Sequence, residues 1–194
     1  MRHTILPALL LFCLMGTECI AQTKPREKKH HMVLYGGLGP NFYFNNLVLA
    51  KDQVNEFNYT TSVRLMWEPE HRLSLGVETG YNRLYTIKTT SGTNNEIRIV
   101  NSAIPLHAVV SMKFFKQFYG CFILGPSIIQ NKLSSTLAGD NYASVVSLGD
   151  FGLAAGYRKK INNKISIGTE LKWFLSTKLE DKNLSALFVM GYHF

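Results

Sequence analysis

The closing segment of the chain alternates without a break. Leu184, Ala186, Phe188, Met190, Tyr192 and Phe194 fall on one face of an extended strand, with Ser185, Leu187, Val189, Gly191 and His193 on the other. A side-chain period of two is what a strand shows when its faces meet unlike surroundings, and a helix cannot reproduce it. The same period returns in three more places. Tyr59, Thr61, Val63, Leu65 and Trp67 oppose Thr60, Ser62, Arg64, Met66 and Glu68; Leu73, Leu75, Val77, Thr79, Tyr81 and Tyr85 oppose Ser74, Gly76, Glu78, Gly80 and Asn82; Ile165, Ile167, Leu171, Trp173 and Leu175 oppose Ser166, Gly168, Glu170, Lys172 and Ser176. One such strand cannot hide its apolar face alone, so the fold is a sheet.

Four further segments, 32–44, 96–114, 117–133 and 148–158, read as strands with weaker contrast, which brings the count to eight. Pro105 and Pro126 cannot donate to a ladder, so a bulge or a local loss of pairing is expected at each. The connections at 68–71, 115–117 and 160–163 are short, whereas those at 45–57, 88–95, 134–147 and 177–182 are longer and polar. Strict alternation of short and long connections is the plan of a transmembrane barrel, with short turns in the periplasm and longer loops outside. The expected fold is therefore all-β: an eight-stranded antiparallel up-and-down barrel over residues 31–194.

Residues 1–21 read as a cleaved export signal. Arg2 and His3 give a basic start, an apolar run covers 5–15, and Cys19, Ile20 and Ala21 supply small residues at the cleavage end. The run is shorter than the ~20 residues of a spanning helix, and Glu18 is the wrong type to precede a lipid-modified cysteine. Residues 22–30 then form a basic periplasmic tail. Export leaves Cys121 alone, so no internal disulfide is expected.

The charges are unevenly placed. The short-turn end and tail hold eleven basic residues against three acidic ones, the long connections five against six, and the strand interiors four against three. The basic excess thus lies at the periplasmic end, where Lys28, Lys29, Lys159, Lys160 and Lys164 form a candidate rim. That rim suits anionic headgroups or an acidic periplasmic partner. Nucleic acid is not an expected partner, because the chain is exported and lacks interleaved basic and aromatic motifs.

Arg64, Glu78, Asp150, Glu170 and Lys172 share the glycine-bearing faces with serines and Asn82. Charges of both signs there predict a polar lumen, and a barrel of this strand number is just wide enough for side chains to fill it. Arg64 and Glu78 are expected as diagonal neighbours around the 68–71 turn. Two other assignments use the same periodicity: a narrow diffusion pore, and a soluble lipocalin-like carrier in which Trp67, Trp173, Tyr81, Phe188 and Phe194 line a ligand cavity.

Catalytic constellations are thin. A lipid-modifying barrel enzyme needs a histidine, a serine and a carboxylate at the outer rim. Here His30, His31, His71 and His193 fall at the periplasmic end, and His107 lies in the lower half of its strand. His30 and His31 lack ligand spacing for a metal. No catalytic residue, metal site or cofactor is expected.

The segments Ala103-Ile104-Pro105-Leu106, Phe118-Tyr119-Gly120-Cys121-Phe122-Ile123-Leu124-Gly125-Pro126, Asp150-Phe151-Gly152-Leu153-Ala154-Ala155-Gly156 and Val189-Met190-Gly191-Tyr192-His193-Phe194 resemble the recurring segments of the small porin-family outer-membrane proteins of Bacteroidota. The resemblance covers nearly all of the exported chain. It implies a small barrel of the OmpA/OmpX type in the outer membrane of a Gram-negative bacterium. It makes Tyr192 and Phe194 the signal read by the barrel insertion machinery, and some relatives serve in secretion and surface maturation; the missing outer-rim histidine and the basic rim point to a structural or interaction role for this chain. The family brings no catalytic residues.

Overall fold

The computed structural model describes residues 31–44, 53–69, 72–91, 95–136, 139–178 and 181–194. The signal at 1–21 and the tail at 22–30, with Lys28 and Lys29, lie outside the described residues. β1 (His31–Phe44) pairs on one side with β3 (Phe57–Glu68) and on the other with β9 (Asp181–His193), so the first and last barrel strands meet. From β3 the antiparallel ring continues through β4 (Leu73–Ser91), β5 (Asn95–Lys113), β6 (Phe118–Ser135), β7 (Gly139–Lys160) and β8 (Ile165–Ser176) to β9. A two-residue strand, β2 (Val54–Asn55), adds to β4 at Ile87 and Thr86. Eight strands thus close into a ring. Closure is what lets strands cross hydrocarbon, because every ladder donor then has a partner inside the protein.

The faces divide as the alternation requires. Leu34, Leu38, Leu65, Val77, Leu106, Phe122, Leu153, Leu171 and Phe188 point outward and are exposed, while the opposite faces are buried. So much exposed apolar surface has no place on a soluble monomer. Aromatic pairs border this belt. Toward the long connections lie Phe42–Phe44, Tyr59–Tyr81 and Phe151–Trp173, and toward the short turns Phe118–Tyr157 and Tyr192–Phe194, with ring centroids 5.2 to 5.9 Å apart. Two girdles around an apolar band mark a bilayer-spanning barrel. The soluble-carrier assignment fails for the same reason, since Trp67, Phe188 and Phe194 lie on the outer surface.

Both prolines disturb the ladder in the two expected ways. Pro105 pairs with Ser127 on β6 but has no partner on β4, and Pro126 sits at a register shift between Gly125 and Ser127. Gly125 is required there: it has φ +157°, and a Cβ would meet the Leu106 carbonyl oxygen and the His107 Cα.

Two expectations change. The connections at 88–95 and 134–147 are largely strand rather than loop, because β4, β5, β6 and β7 run on for 18 to 22 residues while β1, β3, β8 and β9 stop at 12 to 14. Serine, threonine and asparagine on both faces erase the hydrophobic contrast there, but the ladder continues in water to Ser135↔Gly139, where Gly139 takes a left-handed φ of +75°. Above Phe151, β7 pairs with β6 alone. Near the hairpin tip Lys132 lies 2.8 Å from Asp140, and its hydrogen bond holds the Asp140 carboxyl below its usual range. Both groups are exposed, so the pair adds little stability. The second change is Tyr85. A bulge between Arg83 and Tyr85 breaks the register, and Tyr85 packs against buried Tyr43 instead of joining Tyr81 on the lipid face.

Candidate functional site: the lumen and its two ends

All five charged residues assigned to the lumen point inward, and each is at most 5 % exposed. Four of them meet. Arg64 on β3 faces Glu78 on β4 in direct register, not diagonally as the turn length suggested, and donates from Nε to Glu78 Oε2 at 2.8 Å. Across the lumen the same guanidinium grips Glu170 on β8 with both terminal nitrogens, each contact 2.9 Å. Lys172, two residues along β8, donates to the second oxygen of Glu78. Two cations and two carboxylates thus form one continuous, charge-balanced chain from Glu170 through Arg64 and Glu78 to Lys172. The planar fork of arginine is what allows one residue to hold two carboxylates.

Neighbours complete the shell. Tyr119 donates to Glu170 at 2.8 Å, and the Cys121 sulfur lies 3.6 Å from Arg64 Nη1, so Cys121 is a packed thiol at the edge of this group. Val33, Met66, Val109, Ile123, Leu187 and Val189 pack around it. Isolation from water strengthens each ionic hydrogen bond and raises the cost of losing one.

Asp150 stands apart from the other four. It accepts a hydrogen bond from Ser147 Oγ and another from the Thr177 amide at 3.0 Å, nearer the outer end. His107 lies between, its Nε2 3.1 Å from Ser127 Oγ and its ring stacked on Phe174 at 5.7 Å. Further outward Tyr43, Leu84, Ala103 and Ile129 form an apolar cluster.

The lower lumen holds a second group that the sequence assigned to the solvated rim. Glu68 turns inward and accepts from Tyr35 Oη and Lys113 Nζ, both at 2.6 Å, with Arg158 Nη2 at 3.4 Å. The Arg158 guanidinium lies between two rings, 4.1 Å from the Tyr35 centroid and 4.3 Å from Tyr119. Arg158 and Lys113 are therefore interior partners of Glu68, and the solvated basic rim is smaller than the count implied. The clue was parity: Arg158 shares its face with Asp150, Gly152 and Gly156. Lys159, Lys160 and Lys164 do remain exposed. At the same end His193 approaches Ser166 Oγ at 3.0 Å, and the Phe194 amide donates to the Met32 carbonyl at 3.0 Å.

No protein-family model and no curated protein sequence matches the chain. Among solved structures the barrel is similar to Ail, the attachment invasion locus protein of Yersinia pestis, in complex with the heparin analogue sucrose octasulfate. The TM-score is 0.54 at 13 % identity over 85 % of this chain and 99 % of that one. It is also similar to Neisserial surface protein A, with a TM-score of 0.45 and 10 % identity over 84 % and 97 % of the two chains. At such identities the first likeness is one of fold. Together with the closed ring, the apolar band and the two aromatic girdles, it makes this chain an eight-stranded barrel of the Gram-negative outer membrane.

Proposed function

We propose that this protein is a non-conducting outer-membrane barrel with a structural or interaction role in surface secretion or envelope assembly, akin to the small porin-family barrels of Bacteroidota. The observation that supports it is the lumen. Arg64, Glu78, Glu170 and Lys172 fill one level of it, Glu68, Lys113 and Arg158 fill the level below, and Tyr43, Leu84 and Ile129 pack above. A permeant ion would have to break ionic contacts already satisfied, so the diffusion-pore reading is disfavoured. Planar bilayer recordings test this. The wild-type barrel should give no steps of porin size, and changing Arg64, Glu78, Glu170 and Lys172 to alanine should not by itself open it, because the levels below and above still fill the bore. Reproducible large steps from the wild type would overturn the reading.

The barrel's action then lies at its ends. An enzyme acting on outer-leaflet lipid is disfavoured because His107 is buried against Phe174 and His193 lies at the short-turn end. The exposed Lys160 and Lys164 offer an acidic periplasmic partner a surface whose attraction weakens with salt. Changing both to glutamate should leave the barrel folded but diminish its crosslinked periplasmic partners. An unchanged crosslinking pattern would reduce this rim to solvated surface.

A further inference from the structure

The outer face of β7 to β9 carries a hollow within the apolar belt. Ala155 on β7 pairs with Leu171 on β8 and Leu171 with Ala186 on β9; one row nearer the short turns, Tyr157, Thr169 and Phe188 are in register. Most lipid-facing positions elsewhere carry large side chains. Here Ala155, Thr169 and Ala186 are low points around the projecting Leu171, between the walls of Phe118, Tyr157 and Phe188, leaving a trough of about 710 Å³. A second hollow of about 560 Å³ shares Tyr157, Thr169 and Phe188 and leads on to Lys159 and Lys160. The run from Ala155 to Lys159 is roughly 13 Å along one strand.

We propose that this trough is a discrete site for one anionic glycerophospholipid of the periplasmic leaflet. Its acyl chains lie over Thr169 and over Ala155 and Ala186 on the two sides of Leu171, and the phosphate rests at Lys159 with Lys160 beside it. The occupant follows from the shape and charge together. An apolar trough open to the bilayer suits a hydrocarbon chain, and its foot lies at the girdle of Phe118 and Tyr157, the depth of a headgroup. Among the described residues no carboxylate lines the lower hollow, so Lys159 and Lys160 have no described acidic competitor for an anion there. A second copy of the barrel is a poorer occupant, because a two-fold interface centred here would bring Lys159 of each copy to the same depth and side. Neither a silent lumen nor a protein partner at the rim is needed for this site.

Native mass spectrometry of the folded barrel, released from bilayers of phosphatidylcholine and phosphatidylglycerol, tests the assignment. The wild type should retain a single phosphatidylglycerol in preference to phosphatidylcholine. Lys159→Glu should lower that preference roughly fivefold or more, the factor expected of one lysine beside an anionic headgroup. Ala155→Phe, which fills the trough without changing charge, should abolish retention of either lipid, and Ala186→Phe serves the same purpose from another strand. Heat-modifiable electrophoretic mobility verifies that each variant is folded. Equal retention in the wild type and the folded variants, or no preference for phosphatidylglycerol in the wild type, would overturn the proposal. So would a crosslinked dimer that Ala155→Phe dissolves.

Discussion

Glu78→Ala should lower the unfolding free energy of the barrel by about 3–5 kcal/mol, the cost of removing one partner from a buried ion group. Glu78 is the only described carboxylate that touches both Arg64 and Lys172, and all three are buried. Its loss leaves two cations facing Glu170 alone, where water cannot readily replace the missing oxygens. A double variant isolates the charge imbalance from lost packing. Glu78→Gln with Lys172→Met restores one cation against one carboxylate, so it should be less destabilised than the sum of its single changes. Urea titrations in lipid, followed by tryptophan fluorescence, read all of these. If the single and double changes simply add, the four residues are not acting as one group.

Phe194→Asp should strongly reduce the amount of barrel in the outer membrane while costing little stability once assembled. Phe194 is 70 % exposed on the lipid side and stacks edge-on with Tyr192 at 5.2 Å, so its side chain contributes to the girdle rather than the lumen. A charge near the bilayer interface costs only about 0–1 kcal/mol, too little to explain a large loss of folded protein. A steep fall in yield would therefore report on recognition during insertion, the role proposed for Tyr192 and Phe194. Met112→Asp supplies the comparison, since Met112 is also exposed on the lipid face near the short-turn end. Membrane fractions probed by immunoblot should show Met112→Asp close to wild type and Phe194→Asp depleted. Equal depletion of both would remove any special role from Phe194.

The barrel was legible because lipid and lumen impose opposite demands on alternate residues, and β3, β8 and β9 record them throughout, as β4 does up to its bulge. Arg64 and Glu78 could be brought together because a short turn joins β3 to β4, although their pairing is direct and not diagonal. The grip of Arg64 on Glu170 could not be anticipated in the same way: it crosses 106 positions of sequence and depends on the bore and stagger of the closed ring. Tyr85 was misplaced because a bulge shifts parity without marking the sequence, and the outer halves of β6 and β7 passed for loop because both of their faces meet water. Glu68 and Arg158 were hidden by position. Charges beside a turn look solvated, yet parity turns these two into the lumen, where they meet each other.

The described barrel strands end on a bevel at the outer side. β4 to β7 exceed the other barrel strands by roughly six residues, about 20 Å along the strand and about 15 Å in height once barrel tilt is taken in. A level crown presents one profile from every bearing, so spinning such a cylinder in the membrane plane changes nothing for its neighbours. A bevelled one has a windward and a lee side. Along the described strands, large bodies at the cell surface meet a rampart from the β4–β7 direction and a lower sill of strand ends from the direction of β8, β9, β1 and β3, so azimuth becomes a coordinate of the molecule as real as depth. Where such barrels crowd together, each neighbour meets either the rampart or the sill.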